Sequence, residues 1–259
     1  MRRLARPFLI LVCALTGGLL AQPSCAATIT LQIILFGSHI DKEAPRRPVE
    51  PLVSRYQPDH GPSFVFDRAC NPPLVRFEDS PEIWILQPQP GPRGDTIYRN
   101  DMGQPVLRAT KLGGLTVFTA DDPAGAAAAF DGEAPSLRLP PLMSPDALIQ
   151  HVIQATARLS YAAQRRIYIS TVDDAKDEAT PETAPLVAET AIVTAEAITR
   201  AAHGPNGRTV LTKVNKVLLA RGARPDVQLS GGALTVTYEP NSGFGVWPSS
   251  ERILQNLTK

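Results

Sequence analysis

Five carboxylates, Glu78, Asp79, Glu82, Asp95 and Asp101, fall within one short stretch of this 259-residue chain. Two carboxyl groups held on either side of a glycosidic bond can serve as acid and base or as acid and nucleophile, and their separation decides which. Glu78, Glu82 and Asp95 are the residues that could supply such a pair, and the activity they would support is hydrolysis of an envelope polymer. Turns and solvated sheet faces use the same residue types, which accounts for these carboxylates without catalysis. The stretch carries no nucleophile motif and no phosphate loop.

Other reactive side chains are sparse. Cys70 sits in Cys70-Asn71-Pro72-Pro73, which offers neither the base nor the positive charge that makes a thiol nucleophilic; it reads as a buried or disulfide-exchanging single thiol. His39, His60, His151 and His203 are scattered and form no ligand spacing, so no metal and no cofactor is expected. Asp173, Asp174, Asp177 and Glu178 lack the Asp-x-Asp-x-Asp-Gly arrangement of a calcium loop and read as favourable charge ahead of a helix. Six cations between Arg200 and Arg224, with no acid among them, could meet an anionic envelope polymer or simply a neighbouring acidic helix. Arg93-Gly94-Asp95 is an adhesion tripeptide by composition, and Asn256-Leu257-Thr258 a glycosylation sequon.

The elements that must position these groups are mostly strands. Residues 64–119 alternate short apolar runs with turn-forming clusters, the pattern of an antiparallel meander. A four-residue turn at Asn100-Asp101-Met102-Gly103 sets Ile97 opposite Val106 and Asp95 opposite Arg108. A two-residue turn at Gly113-Gly114 sets Leu112 opposite Leu115. Asp79-Ser80-Pro81 separates two further runs, and residues 88–92, with three prolines, are expected to break the ladder because proline has no N–H to donate.

Residues 1–27 have the form of a secretory leader: Arg2, Arg3 and Arg6, an apolar run, then Ser24-Cys25-Ala26-Ala27 suited to cleavage after Ala26 or Ala27. A retained membrane anchor is the alternative. Cleavage removes three of 26 cations and none of 25 anions, taking the net charge from +1 to −2. That near-neutral balance gives no argument for nucleic acid, and membrane contact follows only if the leader stays attached. Of three cysteines only Cys70 is clearly mature, so no disulfide framework forms. The 25 prolines are roughly twice the average usage of about 5%.

Beyond the leader, residues 28–36 alternate as a strand and residues 38–62 read as a proline-rich extended linker. Alanine-rich 124–131 suggests a short helix, and 135–141 a stiff crossing loop. Ser144-Pro145-Asp146 starts a helix carrying Leu148, Ile149, Val152, Ile153 and Leu159 inward, followed by a strand at 166–172. A second helix, 181–202, buries Val187, Ala191, Ala195 and Ile198 and solvates Glu182, Glu189 and Glu196, with Glu196 and Arg200 paired. A third helix at 208–220 would form a hairpin with it. Gly231-Gly232 closes a β-hairpin in which Leu229 faces Leu234 and Val227 faces Val236, and a last helix runs over 249–257.

FVFDR, FEDSPEIW and RGDTIYRNDMGQPVLRATKLGGLTVF together resemble an uncharacterised family of secreted alphaproteobacterial proteins, a domain of unknown function, over about residues 64–171. The resemblance implies an envelope location and transfers no activity. The fold expected is α+β: an antiparallel meander (63–120), then helices packed on one sheet face with a late β-hairpin (144–259), in a single domain from 63 to 259. The function expected is that of a periplasmic or secreted non-catalytic binding protein with an envelope protein or polymer as partner. The alternatives are the carboxylate hydrolase and a membrane-tethered structural protein.

Overall fold

Strand pairing in the first half of the chain follows the order of the sequence. β1 (Val53–Pro58), β2 (Phe64–Asp67), β3 (Leu74–Phe77) and β4 (Trp84–Ile85) pair in succession, as do β5 (Gln87–Pro90), β6 (Thr96–Arg99), β7 (Pro105–Ala109), β8 (Leu115–Val117) and β9 (Ala126–Glu133). Every pair is antiparallel, and β9 returns to pair with β1. That leaves β4 and β5 at the two ends of a nine-strand order. Leu86 alone separates them, so they are halves of one segment, one bonded to β3 and the other to β6. The sheet therefore closes on itself as an up-and-down barrel. The computed structural model describes residues 50–172, 179–241 and 245–258, which belong to one compact unit, Val49–Lys259. The leader, the run 28–36, His39 and the acidic run 173–178 lie outside the described residues.

The period-two alternation of the strands sorts their side chains into two cores. Tyr56, Phe64, Phe66, Val75, Phe77, Leu86, Leu107 and Val117 fill the barrel, with Phe66 edge-on to Tyr98 at 4.9 Å between ring centroids. Val65, Leu74 and Ile83 belong instead to a cluster shared with the helices. β2 is thus buried on both faces, and each large apolar side chain taken from water there contributes about 1.5–3 kcal/mol.

Several expectations for this half are corrected. Residues 53–58, expected in a linker, are β1, the strand that receives β9. Residues 124–131 form a strand rather than a helix. Ala126 and Ala128 lie opposite Val117 and Leu115, where a barrel already filled by aromatic rings accepts only small side chains, and ladders on both sides override alanine's helix preference. Pro88 and Pro90 do pair, opposite Tyr98 and Thr96. On a segment with one neighbour only alternate residues donate, and Gly91 N–H bonds Asp95 O, so the prolines fall at positions whose N–H would face away.

Ile97 faces Arg108, not Val106. The Asn100 side-chain oxygen accepts the N–H groups of Met102 and Gln104, which draws Gln104 into the turn, and a bulge at Tyr98/Arg99 shifts the register again. The ion pair survives on the diagonal, Arg108 Nε donating to Asp95 at 2.7 Å. Thr110 N–H bonds Gly114 O, so the next turn spans 110–114, and Leu112 is 77% exposed instead of facing Leu115.

The second half contains α1 (Pro145–Ala163), β10 (Tyr168–Thr171), α2 (Ala184–His203), α3 (Gly207–Thr212), β11 (Lys216–Arg221), β12 (Asp226–Ser230), β13 (Ala233–Tyr238) and α4 (Ser250–Thr258). Ser144 caps α1 by accepting from Ala147 N–H. The hairpin forms with Leu229 opposite Leu234 and Val227 opposite Val236, Gly231 and Gly232 both taking positive φ. It joins a separate four-stranded sheet, β10-β11-β13-β12. The third helix stops at Thr212 because Val217 and Leu219 alternate inward on an inner strand, β11. Ile149 and Ile153 are half exposed, since α1 turns Ala155 and Leu159 inward. α2 is enclosed along most of its length, Glu189 included, so the solvated face expected for Glu189 is absent.

Candidate functional site

An up-and-down barrel gathers alternate loops at each end. Loops 59–63, 78–83, 100–104 and 118–125 meet at one end, and together with Glu196 and Arg200 of α2 and Glu251 of α4 they enclose a cleft of about 720 Å³. Phe77, Trp84 and Phe118 supply its aromatic wall, with Phe77 and Trp84 edge to face at 6.0 Å. Small-molecule sites of this size recur at barrel mouths.

The cleft's back wall is a polar seam between barrel and helices. Glu82, 1% exposed, accepts the Ser250 N–H at 2.8 Å and the Ser250 hydroxyl. Arg200 donates to Ser250 Oγ at 2.8 Å and pairs with Glu251 at 2.7 Å, so its expected partner Glu196 reaches toward Arg158 at 4.0 Å instead. Asp101 accepts the N–H and hydroxyl of Ser249. Behind Glu82, Ile83 N–H donates to Glu189 at 3.1 Å and Trp247 Nε1 donates to Ile83 O at 3.2 Å. Burial pushes the Glu82 carboxyl up to about 7, despite donors from Ser250 and the charge of Arg200. Burial likewise pushes Glu189 up to about 8, with the neighbouring Glu82 charge adding to it.

Of the three carboxylates expected to do chemistry, Glu82 alone lines the cleft. Glu78 is paired with Arg55 at 2.6 Å. Asp95 lies in the turn between β5 and β6 at the opposite end of the barrel. The three do not converge. Asp95 is 7% exposed and held by Arg108, so the Arg93-Gly94-Asp95 tripeptide does not present both charges. Cys70 is buried, its thiol pushed up by burial and donating to Asp67 at 3.6 Å. His60 lines the cleft. Among the described residues no group of three or more His, Cys, Asp or Glu is placed to hold a metal ion. Sequence reasoning missed Glu189, Glu196, Arg200 and Glu251 as neighbours of the cleft. Ser249-Ser250-Glu251 ahead of an apolar run was the one local signal, as a helix start.

A closed antiparallel barrel joined to a small helix-and-sheet module, with a cleft where they meet, is the class of protein these features define. The chain belongs to the family described as Domain of unknown function (DUF4908), which it matches over residues 34–257. Comparison with curated proteins and with solved structures returned no match.

Proposed function

We propose that this is an exported, non-catalytic binding protein that holds a small ligand in the cleft at the barrel mouth. The observation that carries the reading is the cleft itself, enclosed by every loop at one end of the barrel and completed by α2 and α4. Export rests on the leader pattern of residues 1–27, and the family match begins downstream of it. The protein is periplasmic or secreted, and its partner is an envelope component.

Thermal-shift screening of a mixed-charge small-molecule library, run in parallel on the purified protein and on Ala120→Trp, tests the binding half. Ala120 lines the cleft, so true ligands lose their shift in the variant. A library without one cleft-dependent hit overturns the reading. Intact mass after cell fractionation tests export: a soluble species starting at Ala27 or Thr28 supports it, and a full-length membrane species overturns it in favour of the tethered alternative.

The hydrolase alternative keeps one favourable feature, a cleft carboxyl raised to about 7. Both Glu82 oxygens are already engaged by Ser250, which fits a structural part better. Release of reducing ends from purified envelope polysaccharide, abolished by Glu82→Gln, would reinstate catalysis.

A further inference from the structure

Charge is distributed unequally between the ends of the barrel. The four loops at the cleft end contain Asp59, Glu78, Asp79, Glu82, Asp101, Asp121 and Asp122, and no lysine or arginine. The three hairpin loops at the other end contain Arg68, Arg93 and Lys111 against Asp95 alone. Within the cleft, the guanidinium of Arg200 is already matched by Glu251 at 2.7 Å. Asp79 and Asp121 stand at the rim, exposed, and Phe77, Trp84 and Phe118 form an apolar wall beside them.

A binding site discriminates by placing complementary charge where an apolar body is also received. Ring faces attract cations through their quadrupole and add apolar contact, and carboxylates at the rim favour the same sign. An anion would enter against Asp79 and Asp121, which form no ion pair among the described residues, and a neutral ligand would forgo the rim. Building on the cleft reading above, we infer that the barrel mouth selects a small organic cation, an amine whose apolar part lies against Phe77, Trp84 and Phe118 and whose ammonium meets Asp79 and Asp121.

Three probes of one shape separate the possibilities: phenethylamine, 2-phenylethanol and phenylacetate, titrated calorimetrically into the purified protein at low ionic strength. Phenethylamine is expected to bind at least about tenfold more tightly than the alcohol, a difference of about 1.4 kcal/mol, and phenylacetate more weakly than either. The double variant Asp79→Asn/Asp121→Asn, altered only at exposed side chains, should bring the amine down to the affinity of the alcohol and leave the alcohol unchanged. Equal binding of amine and alcohol, preference for phenylacetate, or no binding of the amine overturns the inference. The cleft reading stands separately if the alcohol or phenylacetate binds and is displaced by Ala120→Trp, and falls with it if that variant changes nothing.

Discussion

Glu82 and Ser250 lie 168 residues apart and meet through two hydrogen bonds, the backbone N–H of Ser250 to one carboxylate oxygen at 2.8 Å and its hydroxyl to the other. Ser250 opens α4, so a side chain from a barrel loop serves as acceptor for the first turn of a helix whose leading N–H groups have no partner within it. The same loop is gripped from behind by α2, through Ile83 and Glu189. Two buried carboxyl groups therefore clasp barrel to helices.

This clasp makes stability fall with alkaline pH. Burial raises both carboxyls from an ordinary value of 4.5, Glu82 to about 7 and Glu189 to about 8. The folded state thus holds its protons where the unfolded chain releases them, and the stabilisation present below about 4.5 is lost as pH rises through about 7 and then about 8. The loss is on the order of a few kcal/mol for each carboxyl, tenfold in proton affinity being about 1.4 kcal/mol. Arg200 beside Glu82 and Arg76 beside Glu189 oppose it without cancelling it. Urea midpoints should drop between pH 5 and pH 9, and Glu189→Gln should flatten that slope. Midpoints independent of pH would contradict it.

Asp67 works in the opposite sense. Burial alone would raise it, but donors from Ser136, Leu137, Ala69 and Cys70 outweigh burial and hold the carboxyl below its usual 3.8. Its contribution is present above that value and disappears as pH falls through the lower folded one. Asp67→Asn, which keeps the volume but loses the charge, should cost about 1.5–3 kcal/mol at pH 6 and less at pH 3, below the ordinary value of 3.8. An equal cost at both pH values would show that the charge is immaterial.

Barrel closure can be tested at Leu86, which is fully buried and joins the two half-strands. Leu86→Ala should cost about 2–5 kcal/mol in urea denaturation. Ile149→Ala, on the half-exposed side of α1, should stay within about 0.5 kcal/mol. Comparable losses from the two would mean that Leu86 does not hold the ring.

Local chemistry was legible in the sequence wherever a turn or cap decided the outcome. Gly231-Gly232 set the hairpin register residue for residue, Ser144-Pro145 set the start of α1, and Asp95 found Arg108. What local reasoning missed was decided at a distance. Alanines at 126–129 become a strand because β1 and β8 lie on either side. Residues 216–221 become a strand because β10 and β13 await them. Glu189 has the helical position of a solvent residue, seven from Glu182, and nothing nearby in the chain announces that Ile83, 106 residues away, will cover it. The cleft was illegible for the same reason: Asp79 and Glu82 stood out in the sequence, but their meeting with Asp121, Glu196 and Glu251 depends on ring closure.

That ring also imposes an order on synthesis. Ser54 in β1 acquires its second neighbour only from Glu133 in β9, so the first strand of the ring waits for the ring's last before its free edge is covered. Sheets with such distant partners form slowly, and uncovered edges invite pairing with other chains. A chain interrupted before β9 is left with two sticky edges and an unsealed aromatic interior, which makes premature termination in this interval a route to aggregation rather than to a smaller folded protein.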